Sequence, residues 1–149
     1  MTLADANLHG NVHGGVIMKF VDDVGGAVAA RHAGGKAVTI SMDEMVFLVP
    51  VNVGDIVRVH ASVNWAGRTS MEVGVRVEAE RWDEAGAVPR HTNTAYLVYV
   101  GVDDAFRPQS IPALTPISPV EVRRFADAEI RRRHRLARRA ELNLNQEAK

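Results

Sequence analysis

The sequence contains no cysteine. This absence excludes a disulfide framework, a thiolate nucleophile and any metal site built on cysteine, and it fits a reducing compartment. No stretch approaches the ~18 consecutive apolar residues that a membrane-spanning helix needs. Residues 1–10 also lack the charged region and apolar core of a signal peptide. We therefore expect a cytoplasmic protein with no membrane partner.

Several motifs of well-known chemistries are also missing. There is no HExxH pair and no histidine–carboxylate cluster at ligand spacing, so we predict no metal. Gly10, Gly14 and Gly15 have the wrong spacing for a phosphate-binding or dinucleotide-binding loop, and no strand precedes them. A serine nucleophile would need a GxSxG elbow, which the sequence does not contain. We expect no bound cofactor.

Net charge is balanced overall, because 18 Lys and Arg oppose 18 Asp and Glu. Residues 1–119 carry nine basic and thirteen acidic side chains, a net of −4, whereas residues 120–149 carry nine and five, a net of +4. Six arginines lie between Arg131 and Arg139. They either bind phosphate groups or form a solvated, partly ion-paired face. We favour the solvated face and expect no nucleic-acid partner.

Residues 7–33 form the stretch around which the rest of the chain is organised. After a polar entry, apolar residues recur at intervals of three and four, which predicts a half-buried helix at about residues 14–33. Its apolar arc is wide, so other structure should surround it. Gly25 and Gly26 lie mid-helix, where each costs about 1 kcal/mol relative to alanine. A neighbouring element must therefore approach the backbone closely there. Gly34 and Gly35 end the helix.

Two adjacent carboxylates on this helix point in different directions. Asp23 shares the polar side with Lys19, four residues earlier, and should form a solvated ion pair. Asp22 lies at the edge of the apolar arc beside Met18, so we expect it to be partly buried. From the helical pattern alone we favour a buried carboxylate that binds a neighbouring backbone segment over a catalytic base or nucleophile.

Four strand-like segments follow, at residues 36–49, 53–66, 69–82 and 89–103. Alternation of apolar and polar residues puts one face on a core and the other in water. Short turns, the last at residues 83–86, predict an antiparallel meander. Prolines from Pro108 onward mark a connector, and Ser118 and Pro119 begin a charged helix that runs to about Leu142. This is an α+β fold, with a domain at residues 1–112 and the connector and helix at 113–149.

The spacing of polar residues at the start of the long helix also carries a family resemblance. The matching positions are Asn7, residues 10–15, Met18, Lys19 and Asp22, with looser similarity to about Pro112. They resemble the active-site segment of the cytosolic acyl-CoA hydrolases, thioesterases of the hotdog fold. The resemblance implies a curved antiparallel sheet around the central helix. It further implies that Asp22 is the catalytic carboxylate and that Asn7 from the other subunit of a dimer is its partner, within a hexamer built as a trimer of dimers.

Other candidates surround this pair. The amides of Gly14 and Gly15 open the helix, so their N–H groups and the helix dipole can polarise a thioester carbonyl. The alternative is that both glycines only allow a tight entry. His13 can line the site, and Met18 can form part of a tunnel for an acyl chain. For the phosphates of coenzyme A we favour Arg68 and Arg107 over the tail, and Ser70, in the same turn as Arg68, is a further candidate for substrate binding.

We therefore expect an enzyme that hydrolyses fatty acyl-CoA to a free fatty acid and coenzyme A, with coenzyme A present only as part of the substrate. A long edge strand predicts self-association through a continuous sheet. Two alternatives remain open. One is a hotdog dehydratase of 3-hydroxyacyl thioesters, and the other is a non-catalytic module that binds acyl-CoA or nucleic acid.

Overall fold

The computed structural model describes residues 1–84, 86 and 88–147. Its central element is helix α1, Gly14–Ala33. The imidazole of His13 caps the amino end, and Gly34, with a φ of 67°, caps the carboxyl end in the left-handed conformation that glycine adopts readily. The ammonium group of Lys19 and the carboxylate of Asp23 form the exposed ion pair expected from their spacing, with Nζ and Oδ2 2.7 Å apart.

Four antiparallel strands form one sheet: β1, Lys36–Phe47; β2, Ile56–Ala66; β3, Ser70–Glu80; and β4, Arg90–Val102. The order is β1-β4-β3-β2, so the predicted meander is wrong for β1, which pairs with β4 and not with β2. Residues 48–55 carry the chain to the opposite edge. Alternation shows which face of a strand is buried but not which strand lies beside it. The predicted turn at residues 83–86 includes Ala85, which lies outside the described residues.

One face of the sheet packs against α1, which contacts all four strands. Alternate residues of β3 form the centre of this core, namely Met71, Val73, Val75, Val77 and Ala79. Tyr99 of β4 packs directly against Gly25, where a Cβ would overlap the tyrosine hydroxyl. A tyrosine therefore makes the close approach that the glycine in mid-helix predicted.

Helix α2, Pro119–Glu147, lies on the other face of the sheet. It begins where predicted, because Ser118 Oγ accepts the N–H of Glu121 and the Glu121 carboxylate accepts the N–H of Ser118. Backbone N–H groups around this carboxylate lower the pKa of Glu121. Among residues 119–143 only Ala128 is buried, so the helix is mostly solvated. No helix in the described part of the chain is long and apolar enough to cross a membrane.

Arginine side chains attach α2 to the sheet. Arg131 donates from Nη2 to Oε1 of Glu72 at 2.7 Å, and its guanidinium lies 3.6 Å from the centroid of the Tyr96 ring. Glu72 is 1% exposed, so water is largely excluded from this pair. Arg135 pairs with Asp43. The guanidinium of Arg132 lies 4.8 Å from the centroid of the Trp65 ring. The solvated face favoured from the sequence is therefore an incomplete description, because three of the six clustered arginines contact the sheet.

Strand β1 forms one edge of the sheet and carries exposed apolar side chains. Ile40 is 58% exposed, Phe47 is 51% exposed and Leu48, just beyond the strand, is 53% exposed. An edge strand presents a row of unpaired N–H and C=O groups. Together with these apolar side chains, this edge has the chemistry of a surface that pairs with another strand.

Candidate active site

The amino end of α1 is held by a local hydrogen bond. His13 Nδ1 accepts the N–H of Gly15 at 3.0 Å, and the His13 carbonyl accepts the N–H of Val16 at 2.9 Å. The Gly15 amide, which we expected to hold an oxyanion, is thus engaged by His13 in this structure. His13 acts here as a helix cap, and an oxyanion would reach the Gly15 amide only after the imidazole turned away.

The loop before α1 fixes the position of Asn7. Its Oδ1 accepts the N–H groups of His9 at 2.8 Å and Asn11 at 3.3 Å. Its backbone N–H donates to the Asn11 carbonyl at 2.7 Å, and Ala6 and Val12 form a bridge that closes the loop. The acceptor oxygen of the Asn7 side chain is used internally, so chemistry at this residue falls to its Nδ2 donor.

A groove of about 350 Å³ opens at this end of α1. Asn7, Asn11 and Gly14 line it together with the apolar segment 47–51, which follows β1, and with Asn93 of β4. The structure therefore brings two of the candidate site residues, Asn7 and Gly14, to one groove. Polar amides and apolar side chains both border it, which suits a ligand of mixed character.

Asp22 lies on the flank of α1 that faces the β1 edge. Its Oδ1 accepts a hydrogen bond from Thr39 Oγ1 at 2.7 Å. The Tyr99 hydroxyl lies 3.3 Å from both this oxygen and the Asp22 backbone carbonyl, so its one proton is shared between them. The side chain is exposed, so the expectation of partial burial is wrong for the single chain. The buried side of α1 does not extend as far as Asp22, because the neighbouring Met18 is itself 43% exposed. Within the described residues no hydrogen bond reaches Asp22 Oδ2.

Tyr99 supports Asp22 from the core. It is 0% exposed, between β4 and α1. Burial, and then the negative charge of Asp22, raises the pKa of its phenol well above the ordinary value. The hydroxyl therefore stays protonated at neutral and moderately alkaline pH and remains a donor to Asp22.

This geometry defines what Asp22 can do chemically. Thr39 donates to Oδ1 and orients the carboxylate, the Tyr99 hydroxyl supports the same oxygen and the backbone carbonyl beside it, and Oδ2 lies on an exposed flank. A carboxylate held in this way can take a proton from water or attack a carbonyl carbon. Asp23 is different, because Lys19 neutralises it on the solvent side.

The remaining candidates for substrate binding, Arg68, Ser70 and Arg107, lie at the other end of α1. Arg68 is exposed in the turn between β2 and β3, and Ser70 begins β3. Arg107 forms an ion pair with the aspartate four residues earlier at 2.9 Å. This region contacts the carboxyl end of α1, since a Cβ on Gly101 would lie 3.7 Å from Ala33. A helix of 20 residues is about 30 Å long. One subunit alone therefore does not bring these groups to the groove.

Thr39 and Tyr99 are candidates that the sequence did not suggest. Thr39 is one β-branched residue among several in a strand, and Tyr99 is one large residue in an apolar alternation. They meet Asp22 only through the fold, because the contacts join residues 17 and 77 positions apart. The one available signal was Gly25, whose cost in a helix indicated a close neighbour.

In the part of the chain that the structure describes, no three or more histidine, cysteine, aspartate or glutamate side chains lie close enough together to bind a metal ion. His32, at the carboxyl end of α1, donates from Nε2 to the carbonyl of Pro112 at 2.9 Å. This histidine ties the connector to the helix and does not contact Asp22.

Comparisons with known proteins relate the sequence to one family. Residues 9–84 match the thioesterase superfamily. The chain is 41% identical over 137 residues to a mouse acetyl-coenzyme A thioesterase, with 90% of this chain and 24% of the relative covered. It is 32% identical over 126 residues to a mouse cytosolic acyl coenzyme A thioester hydrolase, with 85% and 33% covered. The chain thus spans about a quarter to a third of the length of these relatives.

Solved structures extend the match to the fold. The acyl-CoA hydrolase of Staphylococcus aureus, in complex with butyryl coenzyme A, coenzyme A and coenzyme A disulfide, has a TM-score of 0.89 at 33% identity, covering 99% of this chain and 88% of that one. A hexameric acyl-CoA thioesterase has a TM-score of 0.88 at 31% identity, covering 94% and 88%.

The staphylococcal enzyme has also been solved as three alanine mutants. The replaced residues are an asparagine, an aspartate 15 positions later and a threonine 17 positions after that aspartate. Asn7, Asp22 and Thr39 have the same two spacings in this chain.

Proposed function

This chain belongs to the thioesterase superfamily and has its hotdog fold, and from that premise we propose that it is an acyl-CoA thioesterase. In the reaction the C–S bond of an acyl-CoA breaks, the acyl group leaves as a carboxylic acid and coenzyme A leaves as a free thiol. The observation that carries the proposal is the exposed carboxylate of Asp22, held by Thr39. The spacing from Asn7 through Asp22 to Thr39 is the one at which the staphylococcal enzyme was mutated.

Asp22 supplies the base or the nucleophile. As a base, it takes a proton from a water molecule while the water oxygen attacks the thioester carbonyl. As a nucleophile, it attacks the carbonyl itself and forms an acyl-enzyme anhydride, which water then hydrolyses. In both routes the sulfur leaves with the electron pair of the C–S bond and takes up a proton. Thr39 and Tyr99 are positioning residues, because their hydroxyls orient Asp22.

Asn7 and Asp22 act together across a subunit interface. Within one chain, Gly14 at the Asn7 groove lies eight residues before Asp22, about 12 Å along the helix axis. That separation is too long for both groups to contact one carbonyl. The apolar, exposed edge of β1 supports a dimer in which two β1 strands pair across a twofold axis. Antiparallel pairing runs the Asn7 loop of one subunit alongside α1 of its partner.

The same twofold arrangement gives a role to the distant basic residues. Arg68, Ser70 and Arg107 lie at the carboxyl end of α1, and antiparallel pairing turns this end toward the amino end of the partner's helix. The phosphates of coenzyme A bind there, because guanidinium groups form strong charge-assisted hydrogen bonds with phosphate. Arg107 then exchanges its bond to Asp103 for one to phosphate.

The acyl group and the oxyanion lie between the carboxyl end of α1 in one subunit and the amino end of α1 in its partner. Met18, exposed beside Asp22, offers an apolar wall for the acyl chain. The amides of Gly14 and Gly15 in the subunit that supplies Asn7, together with the dipole of that helix, stabilise the oxyanion once His13 releases Gly15. The hexameric solved structure supports a hexamer, which twofold pairing of β1 strands would make a trimer of dimers, and the relative named cytosolic supports a cytoplasmic location.

A thiol-release assay tests this function directly. Butyryl-CoA is incubated with the protein, and free coenzyme A is measured with a chromogenic disulfide, to which this cysteine-free chain contributes no background. We expect coenzyme A and butyrate to appear in equal amounts. Loss of water from 3-hydroxybutyryl-CoA with the thioester intact would instead identify a dehydratase. Binding of coenzyme A without turnover would identify a non-catalytic module.

A further inference from the structure

The groove at the amino end of α1 contains a buried acceptor that lacks a donor. Asn93 of β4 lines this groove and is 0% exposed. Its Nδ2 donates to the carbonyl of Val46 at 3.4 Å. Its Oδ1 has no hydrogen-bond partner, and no other buried side-chain oxygen or nitrogen of the described residues shares that condition. Unpaired buried polar atoms are rare in native proteins, so this one requires an explanation.

The Val46 carbonyl determines which way the Asn93 amide points. If the amide turned over, its oxygen would face the carbonyl oxygen, and two acceptors would meet with no proton between them. The atom without a partner is therefore the acceptor, and it needs an N–H or O–H donor. The residues beside Asn93 on the neighbouring strands are Phe47 and Val77, whose side chains carry no donor.

The rest of the groove indicates where a donor comes from. Phe47, Leu48 and Val49 form an apolar wall that is 51%, 53% and 38% exposed. The Asn7 loop and Gly14 border the same groove. A ligand that fits is an apolar chain with an occasional amide or hydroxyl group, and the thiol arm and acyl chain of an acyl thioester are chains of that kind.

We propose that Asn93 is a specificity-determining residue of the thioesterase reaction proposed above, on which this inference rests. Its Oδ1 accepts a hydrogen bond from a donor that the substrate carries, either an amide N–H of the thiol arm or a hydroxyl of the acyl chain. A substrate without a donor leaves the acceptor unpaired in the complex. Sites built around a buried polar group discriminate strongly against ligands that cannot pair with it.

The test compares substrates that differ by one donor, using Asn93→Leu, which keeps the shape of the side chain and removes its polar atoms. S-butyryl-N-acetylcysteamine carries the amide nearest the sulfur, and S-ethyl thiobutyrate does not. In the same way, 3-hydroxybutyryl-CoA differs from butyryl-CoA by one hydroxyl. Thr92→Val is the control, because this adjacent buried hydroxyl donates to the Val77 carbonyl at 3.2 Å and does not line the groove.

We expect Asn93→Leu to lower kcat/KM for the donor-bearing member of one pair roughly three- to tenfold relative to its partner. A change in the cysteamine pair assigns the donor to the thiol arm, and a change in the hydroxybutyryl pair assigns it to the acyl chain. Thr92→Val should leave both ratios unchanged. If Asn93→Leu does not fold by circular dichroism, Asn93→Ala is measured in the same way.

Two results overturn the inference, and they are distinguishable from each other. Equal effects of the Asn93 variant on all four thioesters, or no effect, would show that the missing donor is not part of the substrate. Wild-type protein that hydrolyses none of the four would refute the proposed function itself, and the role of Asn93 would fail with it.

Discussion

Gly25 and Gly26 offer a matched test of how α1 meets the sheet, because they are adjacent glycines with different neighbours. Replacement of a mid-helix glycine by alanine stabilises a protein by about 1 kcal/mol, and this gain applies to both positions. At Gly26 the new Cβ would lie 3.8 Å from Cε1 of Tyr99, an ordinary contact. At Gly25 it would overlap the Tyr99 hydroxyl and lie 3.3 Å from Cζ, so the tyrosine must move.

Overpacking of this kind costs about 1–3 kcal/mol, and Gly25→Ala should be less stable than Gly26→Ala by that amount. For a chain of this size the gap corresponds to roughly 2–10 °C in Tm. Turnover should separate the variants as well. Displacement of Tyr99 removes its contact with Asp22 but leaves the Thr39 bond, so Gly25→Ala should lower kcat for acyl-CoA hydrolysis without abolishing it, whereas Gly26→Ala leaves kcat unchanged.

Thermal unfolding followed by circular dichroism, combined with thiol release, measures both effects. A Tyr99→Phe background is the control, because it removes the overlapping oxygen and should reduce the cost of Gly25→Ala. Equal Tm values for the two glycine variants would refute the packing argument. If the two glycine variants differ in Tm by the same amount in the Tyr99→Phe background, the hydroxyl oxygen is not the cause of the difference.

Asp22→Asn should lower kcat about 10²- to 10⁴-fold with the fold intact, whereas Asp23→Asn changes kcat little; similar losses would show that the faces of α1 are misassigned. Glu72→Gln removes the negative charge opposite Arg131 but keeps an acceptor oxygen, so it should destabilise the protein by about 1–3 kcal/mol in chemical unfolding. Glu78→Gln, on a partly exposed ion pair of the same strand, should have little effect, and equal stabilities would mean that Glu72 does not anchor α2. Deletion from Leu136 onward keeps Arg131, Arg132 and Arg135, so acyl-CoA hydrolysis should persist. A large, salt-dependent loss of acyl-CoA affinity would instead show that the tail binds phosphate.

Features that depend on neighbouring residues were predictable from the sequence. Glycine at position 34 ends α1 because it adopts a positive φ, and the Lys19–Asp23 pair follows from helical spacing. The start of α2 follows from Ser118 and Glu121 in the same way.

Features that depend on the assembly of elements were not predictable. The pairing of β1 with β4 leaves no trace in the alternation of either strand. Glu72 occupies a position that alternation assigns to water, and it is buried only because α2 covers it. In sequence Arg131 is one of several clustered arginines, and only the fold brings it to Glu72.

The candidate site also combines features that are local in sequence with features that depend on the assembled fold. Helical projection placed Asp22 at the edge of the apolar arc, but its exposure depends on where the sheet ends beside α1. Thr39 and Tyr99 became candidates only when packing brought their hydroxyls to Asp22. Asn93 is unremarkable in sequence, because a missing hydrogen-bond partner exists only in three dimensions.

Mixing two inactive variants tests the composite site most directly. Asn7→Ala and Asp22→Ala oligomers should each be nearly inactive, because every site lacks one partner. After mixing and reassembly, about half of the dimers contain one chain of each kind, and one of their two sites is intact. Acyl-CoA hydrolysis should then recover to about a quarter of wild type. Mixed oligomers that are confirmed by mass yet remain as inactive as either parent would contradict a site shared between subunits.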